Sequence, residues 1–275
     1  MKDRIKNIDI TVLMSVYNER EEYLKKSIRS ILDQTFGNFE FLIINDGSTG
    51  EFCLKTLDEF SRKDPRIKII HNPKNIGLTK SLNIGLSWAK GRYVARMDSD
   101  DFSDPKRLER QLKFMQENPD CALCGTWAVI IDKNDRIIGR KKGYSQYPEI
   151  KKSIIYINNF THSSWFFRKT VILSIGGYSE NLQKSQDYDL LLKLIPRHKV
   201  VNIPEFLTYY RFRDDSISFK NNKSQEKYSI SLRFKALREY GYPKIYYLKT
   251  IIPAIRYLLM PSFLKKFLMK ILWKI

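Results

Sequence analysis

Cysteine is scarce in this 275-residue chain, which contains only Cys53, Cys121 and Cys124. Three thiols are too few, and odd in number, for a disulfide scaffold, so we expect a reducing compartment. Long hydrophobic runs are also lacking: no stretch of 18 uncharged apolar residues occurs, and a conventional membrane-spanning helix is not expected. The short apolar run Ile10–Val16 is followed by charged residues, which does not match a signal peptide. The sequence therefore predicts a cytoplasmic globular protein.

Glycine and proline are infrequent, at 12 and 10 residues, whereas 43% of the residues are hydrophobic. This composition excludes a disordered, collagen-like or low-complexity protein. Acidic residues are outnumbered, with 30 Asp and Glu against 49 Lys and Arg. The excess is uneven, because residues 220–275 carry 13 basic and 2 acidic residues, or +11 of the net +19. Such a charge favours an anionic partner, which could be a nucleic acid, a phosphorylated substrate or an anionic membrane surface.

The first half of the chain alternates between strand and helix patterns. Strands buried on both faces are predicted at Ile10–Val16, Phe39–Ile44, Ile67–Ile70 and Tyr93–Met97. Amphipathic helices are predicted between them at 22–33, 51–62 and Leu78–Ala89. Strands and helices in this order indicate βαβ units and a mostly parallel sheet flanked by helices, an α/β architecture.

The alternation weakens in the second half, which we predict to be a smaller α+β part. A helix at 106–117 leads to a strand at Cys121–Ile131, and further strands are predicted at 160–167 and 199–212. A short helix is predicted at Asp187–Ile195, and only helices beyond residue 220.

Three polar clusters follow the ends of predicted strands, at Ser15–Glu19, Asn45–Ser48 and Asp98–Asp101. In open parallel sheets, ligands bind at the carboxyl ends of the strands. Several acids at the end of one buried strand are costly unless a cation compensates them, and hard divalent cations prefer oxygen ligands. Alternatively, Asp100 or Asp101 caps the following helix and the other acids are solvated. The residues alone leave both interpretations open.

The order and spacing of these clusters resemble those of the family 2 glycosyltransferases, which have the GT-A fold. The resemblance covers roughly residues 8–215 and includes further motifs at Asn75–Gly77, Asn83, Gly85, Gly91–Arg96, Gly176–Tyr178 and Gln186–Leu190. Each motif is weak alone, but their number and order together make the match specific. The resemblance implies a GT-A catalytic domain at 1–219, with a nucleotide-sugar-binding half (1–104) and an acceptor-side half (105–219). A basic helical segment, 220–275, follows.

The resemblance also implies a site for the nucleotide part of the donor. By that resemblance, Asp46 accepts a hydrogen bond from the base, and Tyr17 and Glu19 line the base and ribose pocket. Ser15, in the same polar cluster, is expected to contact the donor as well.

A metal site for Mn²⁺ or Mg²⁺ is implied at the D-x-D motif. By the resemblance, Asp98 lies near the ribose and the metal, and Asp100 binds the metal directly. One departure concerns Arg213, which stands where the family commonly has a His that can ligate the metal. Arginine cannot ligate a metal, but its fixed charge could bind the diphosphate. Metal ligation would then depend on Asp100 with water and phosphate oxygens.

The general base implied by the resemblance is Asp187, which follows Gln186 where the family usually has Glu-Asp. A carboxylate suits this role when it reaches the acceptor hydroxyl and burial tunes its pKa. The alternative is that Asp187 only stabilises the start of its helix. His162 is either an acceptor-side residue or a structural histidine. Cys121 and Cys124 are three positions apart on one strand, so they should point to opposite faces and serve as small buried hydrophobes.

These features predict an inverting, metal-dependent glycosyltransferase of the hexosyltransferase type. We expect it to transfer a sugar from a nucleoside diphosphate sugar, a UDP-sugar in particular, to a lipid-linked glycan in bacterial surface polysaccharide assembly. One alternative is a sugar nucleotidyltransferase, which should show a glycine-rich, basic loop where this chain has Ser15–Glu19. A second is a basic nucleic-acid-binding protein, but no such motif is found, so no nucleic-acid partner is expected.

The last fifteen residues predict an amphipathic helix at 261–275. One face is apolar, formed by Leu264, Phe267, Leu268, Ile271, Leu272 and Ile275. The opposite face carries Lys266, Lys270 and Lys274, with Trp273 at the border. This pattern is typical of a helix that lies in a membrane interface, so we expect a peripheral protein at the inner face of the cell membrane. Alternatively, the apolar face packs on the catalytic domain or on a second copy of the chain, and the second case would make the protein a homo-oligomer.

Overall fold

The computed structural model describes residues 8–182, 184–213, 222–243, 245–247, 250–251, 259 and 261. Its strands are β1 (Ile10–Val16), β2 (Phe39–Asn45), β3 (Ile67–His71), β4 (Tyr93–Asp98), β5 (Phe102–Ser103), β6 (Cys121–Ile131), β7 (Ile137–Lys141), β8 (Phe166–Arg168) and β9 (Lys199–Arg211). Its helices are α1 (Glu21–Leu32), α2 (Glu51–Lys63), α3 (Leu78–Trp88), α4 (Arg107–Glu117), α5 (Tyr147–Ser153), α6 (Lys169–Ser174), α7 (Gln186–Leu194) and α8 (Asn222–Glu239).

The strands of the described residues form one nine-stranded sheet in the order β3-β2-β1-β4-β8-β6-β9-β5, with β7 paired to β6. Strands β1 to β4 pair in parallel, as do β6 and β9, whereas β8 is antiparallel to both of its neighbours. The predicted α/β architecture, with a parallel first half and a mixed second half, is confirmed. The parallel strands end at one edge, where the polar clusters follow.

Helices cover both faces of the sheet because alternate side chains of the buried strands point to opposite sides. In β1, Leu13 faces a core built with α3, α5, α6, α7 and α8, whereas Val12 and Met14 face a core built with α1, α2 and α4. Gly91 allows β1 to pass close by, since a Cβ on it would lie 2.4 Å from the backbone nitrogen of Thr11.

Two sequence predictions fail where the backbone departs from regular alternation. The strand predicted over 160–167 is instead a 3-10 turn at His162–Ser164 followed by the short β8. The turn forms because Ser164 Oγ donates a hydrogen bond to the Thr161 carbonyl and accepts one from the Thr126 amide. In β6, the register shifts after Cys121.

That shift changes the orientation of the two β6 cysteines. Cys121 and Cys124 face the same core, whereas Ala122 and Leu123 face the other one. The prediction that the two thiols point to opposite faces is therefore wrong, although both are buried in apolar surroundings.

Helix α8 packs against the body of the protein through Leu232, Ala236 and Leu237, which are buried in the core that contains α7. A polar cluster reinforces this contact around Asp189 of α7, which is completely buried. The Tyr240 hydroxyl donates a hydrogen bond of 2.8 Å to Asp189 Oδ1. Residues that follow β9 in the chain, in α8 and at Tyr240, therefore hold α7 in position.

Three further polar contacts complete the Asp189 cluster. Ser179 Oγ donates to Asp189 Oδ2 at 2.6 Å, Lys193 Nζ lies 3.1 Å from the same oxygen, and Lys235 Nζ lies 3.5 Å from Oδ1.

Among the helices that the structure describes, none is long and apolar enough to cross a membrane. The amphipathic helix predicted at 261–275 lies, from residue 262 onward, outside the described residues.

Candidate active site

A cavity of about 800 Å³ opens at the carboxyl ends of β1, β2 and β4. Strands β7 and β9, the segment 158–162 and the beginning of α7 form its other walls. All of the predicted site residues line it, namely Ser15, Tyr17, Glu19, Asp46, Asp98, Asp100, Asp187 and Arg213, together with His162. The fold thus brings together, in one cavity, residues that are up to about two hundred positions apart in the sequence.

The Asp46 carboxylate lies at the end of β2 and is buried. It accepts hydrogen bonds from Asn72 Nδ2 (2.9 Å) and from the backbone amides of Ile76 (3.0 Å) and Gly77 (2.9 Å). These contacts hold the loop before α3 against the sheet, a structural task that the sequence did not predict. Gly47 permits this arrangement, since its φ is +71° and a Cβ would lie 2.3 Å from the Lys74 carbonyl carbon.

Asp98 ends β4 and forms a two-point ion pair with the buried Arg96, two residues earlier on the same strand. Both terminal guanidinium nitrogens of Arg96 contact the carboxylate, the geometry that arginine prefers with carboxylates. Ser163 Oγ donates a further hydrogen bond of 2.6 Å to Asp98 Oδ2. The first acid of the D-x-D motif is therefore held in place by the protein.

The second acid of that motif, Asp100, lies near one positively charged residue, Arg213, and one negatively charged residue, Glu19. Arg213 Nη1 lies 2.9 Å from Glu19 Oε1 and 3.5 Å from Asp100 Oδ2. Burial, together with the carboxylates of Asp98 and Glu19, raises the pKa of Asp100 to about 7, and Arg213 opposes this shift. The cavity thus concentrates negative charge at this point.

Asp101 is completely buried and does not face the cavity. It accepts a hydrogen bond from the backbone amide of Arg211 (2.7 Å) and contacts Ser163 Oγ, and burial raises its pKa well above the ordinary value. The hydrogen bond at the start of α4 goes instead to Asp104, whose Oδ1 accepts from the Lys106 amide. The alternative in which Asp100 or Asp101 caps this helix is therefore wrong.

The acidic end of the cavity has the donor chemistry for a divalent cation. Within the described part of the chain, no three His, Cys, Asp or Glu side chains are arranged to hold a metal by themselves. Mg²⁺ and similar ions are usually bound by one or two carboxylates, with waters and substrate phosphates completing the shell. Asp100, with Asp98 beside it, fits that pattern, and a bound cation would relieve the repulsion that raises the Asp100 pKa.

Asp187 lies in the first turn of α7, in the wall formed by the beginning of that helix. Asn158 Nδ2 donates a hydrogen bond of 3.2 Å to Asp187 Oδ2. Burial raises the pKa of Asp187, and the positive charges of Arg96 and Lys141 partly oppose this shift. A partly buried carboxylate that faces a cavity can accept a proton from a bound molecule.

His162 lines the cavity but is held by its neighbours. Its Nε2 lies 2.8 Å from the Tyr178 hydroxyl, and its ring packs edge-on against Trp165 at 4.6 Å. Burial lowers its pKa well below the ordinary value, so the ring is neutral. These contacts favour the structural interpretation of His162.

Residues of the cavity that sequence reasoning did not assign to the site include Arg96, Lys141 and Asn158. Arg96 follows a visible pattern, since residues two apart on a strand share a face and Asp98 is its partner. Lys141 and Asn158 reach the cavity through the pairing of β7 with β6 and the segment after α5, for which no local signal exists.

Solved structures share this architecture. TarS from S. aureus, solved in complex with UDP-GlcNAc, superposes with a TM-score of 0.67 at 17% identity, over 86% of this chain and 69% of TarS. The mannosyltransferase PcManGT from Pyrobaculum calidifontis, solved with GDP-Man and Mn²⁺, gives a TM-score of 0.64 at 15% identity, over 90% and 69%. At these identities the likeness concerns the fold, which is the GT-A fold expected from the motifs.

Sequence comparisons identify the family. An uncharacterised glycosyltransferase of Methanocaldococcus jannaschii is 34% identical over 271 residues, which cover 95% of this chain and 93% of that protein. The O-antigen biosynthesis glycosyltransferase WbnJ of Escherichia coli is 36% identical, over 82% and 87% of the two chains. The model of glycosyl transferase family 2 matches residues 11–175. The chain with this acid-lined cavity therefore belongs to family 2 of the glycosyltransferases.

Proposed function

We propose that this glycosyltransferase is inverting and metal-dependent, and that its donor is a nucleoside diphosphate sugar, in particular a UDP-sugar. The observation that carries the proposal is the arrangement of the cavity. An acidic cluster at the end of β4 and a partly buried carboxylate at the start of α7 line the same cavity. The first can hold a metal and a diphosphate, and the second can deprotonate an acceptor.

The nucleotide would bind at the ends of β1 and β2. Tyr17 is half exposed at this end, so its ring is free to stack on a base. Ser15 and Glu19 supply polar contacts for the ribose beside it. Asp46 retains lone pairs for the base, although its carboxylate already accepts three hydrogen bonds from the protein.

The diphosphate would bind beside the D-x-D motif. Asp100 would hold Mn²⁺ or Mg²⁺, with Asp98 next to it and phosphate oxygens completing the shell. When bound, the cation would offset the negative charge that grows on the leaving diphosphate. Arg213 would contact the same phosphates, because its guanidinium already lies within reach of Asp100.

Asp187 would act as the general base on the acceptor. An acceptor hydroxyl gives its proton to Asp187 while its oxygen forms a bond to the anomeric carbon. The bond from that carbon to the diphosphate breaks at the same time, and its electron pair leaves with the diphosphate. Because attack comes from the face opposite the leaving group, the anomeric configuration inverts.

The acceptor class is suggested by the relatives. WbnJ is named for O-antigen biosynthesis, and AmsE of Erwinia amylovora, 30% identical over 84% of this chain and 88% of its own length, for amylovoran biosynthesis. We propose a lipid-linked glycan as the acceptor and a peripheral location at the inner face of the cell membrane. The basic segment 220–275 would supply the attraction to anionic lipids.

The test is a screen of nucleotide sugars for hydrolysis and transfer, with and without EDTA. We expect hydrolysis of one donor, loss of activity in EDTA and its return with Mn²⁺ or Mg²⁺. Asp100→Asn should lose most of the activity while its thermal unfolding stays like that of the wild type. NMR of the product should show an inverted anomeric centre, and a retained configuration or full activity in EDTA would contradict the proposal.

A further inference from the structure

Lys141 is the last residue of β7, and its side chain lines the cavity that also contains Asp187. Its Nζ atom donates a hydrogen bond of 2.8 Å to the carbonyl oxygen of Phe160. No carboxylate oxygen of the described residues lies within 4.0 Å of this nitrogen. The ammonium therefore uses one of its three donors and has no ion pair within the described part of the chain.

A cation that is partly buried in a cavity wall is costly unless an anion or further acceptors compensate it. The burial of this amine lowers the pKa of Lys141 to about 8, and the neighbouring Asp187 carboxylate partly opposes the shift. Two other acids of the cavity are already paired within the protein, Asp98 with Arg96 and Glu19 with Arg213. No carboxylate of the described residues forms an ion pair with Lys141, so an anionic group on a bound molecule would complete its contacts.

We propose that Lys141 binds an anionic group of the substrate, a carboxylate or a phosphate, next to the general base. This inference rests on the proposed function, because it takes the cavity at Asp187 to be the place where donor sugar and acceptor meet. The group has two sources with the same chemistry: a uronic acid carboxylate on the donor sugar, or a phosphate or carboxylate on the acceptor. In both cases Lys141 determines substrate specificity, since a neutral substrate would leave the ammonium unpaired.

The neighbouring Lys142 gives a matched control. Its side chain is exposed, and its Nζ lies 5.2 Å from the centre of the Trp127 ring, outside the cavity. Lys141→Met and Lys142→Met each remove one positive charge at adjacent positions of the same segment. Any effect of net charge alone is therefore common to both variants.

The experiment measures binding by calorimetry in two arms. The donor arm compares UDP-glucuronate with UDP-glucose in the presence of Mn²⁺. The acceptor arm saturates the protein with UDP and Mn²⁺ and compares glucose 6-phosphate and glucuronate with glucose. In one arm we expect the wild type to bind the anionic probe about 10- to 100-fold more tightly than the neutral one. The arm that shows the preference identifies the source of the anion.

In Lys141→Met and Lys141→Gln the preference should fall to about one, whereas Lys142→Met should retain it. Unchanged UDP affinity in all variants would show that the donor site is still folded. A wild type without preference in either arm, or a preference that survives both Lys141 variants, would overturn the inference. Failure of UDP itself to bind the wild type would contradict the proposed function instead, so the two failures are distinguishable.

Discussion

Arg213 and Asp100 approach each other to 3.5 Å, so the acid proposed as the main metal ligand has a fixed positive charge beside it. The same guanidinium nitrogen contacts Glu19 at 2.9 Å. A cation bound to Asp100 and a guanidinium at this distance repel each other unless anionic oxygens lie between them. The diphosphate of a donor supplies such oxygens, so metal and nucleotide should bind cooperatively at this point.

Arg213→Met should weaken UDP binding in the presence of Mn²⁺ by about 10- to 100-fold, the magnitude of a lost hydrogen bond to a charged group. Isothermal titration measures the effect. Arg110→Met is the control, because Arg110 forms an exposed ion pair with Glu205 outside the cavity and its loss should leave UDP affinity unchanged. Equal affinities for Arg213→Met and the wild type would remove this residue from the donor site.

Asp187→Asn should lower turnover by about 10²- to 10⁴-fold, because the amide keeps the shape of the side chain but cannot accept a proton. UDP affinity should stay within about twofold of the wild type, since the base acts on the acceptor. Steady-state kinetics and titration calorimetry measure the two quantities separately. A parallel loss of both would assign Asp187 to the donor site or to the fold.

The pH dependence of kcat/KM should reflect the ionisation of Asp187. Burial raises the pKa of Asp187, and only the ionised form accepts a proton, so kcat/KM should fall as the pH drops through this raised pKa. The acid limb is then expected above pH 4, the ordinary range of a carboxyl. Lys141 lowers the Asp187 pKa, so Lys141→Met should move the limb to higher pH. A limb that moves to lower pH would contradict the assignment.

Tyr240→Phe should destabilise the protein by about 1.5 kcal/mol, because it removes the hydrogen bond to the buried Asp189 carboxylate. Tyr242→Phe is a matched control, since the buried Tyr242 hydroxyl has no hydrogen-bond partner in the described structure. Its removal should change the free energy of unfolding by less than about 0.5 kcal/mol, or stabilise the protein. Urea unfolding measures the free energy of unfolding of both variants. Equal losses of stability would show that the hydrogen bond from Tyr240 to Asp189 does not stabilise the protein.

The three thiols should be unreactive in the native protein. Burial raises the pKa of Cys121 to about 12 and that of Cys124 well above its ordinary value, and Cys53 is also buried. Because the thiolate is the reactive form, a thiol reagent at pH 8 should label none of them until urea is added. Rapid labelling of the folded protein at any of the three positions would contradict the structure of its core.

Much of the first half of the chain could be predicted from the sequence, because its signals are local. Strands β1, β2 and β4 are mostly apolar, and the polar cluster after each one must lie at the same sheet edge. The approach of Lys141 to Asp187 has no such signal, since it depends on the pairing of β7 with β6. The orientation of Cys121 was mispredicted for a related reason, as a register shift in β6 is set by tertiary packing rather than by residue pattern.

The contact between Tyr240 and Asp189 also has a consequence for the timing of synthesis. The two residues are 51 positions apart, and ribosomes add roughly 5–20 residues per second, so Asp189 precedes Tyr240 by about 3–10 s. During that interval the nascent chain can complete the parallel strands, whereas the carboxylate of Asp189 still lacks its hydroxyl partner. The helix that carries the proposed base can therefore reach its final environment only after Tyr240 has been synthesised, later than every residue of β1 to β4.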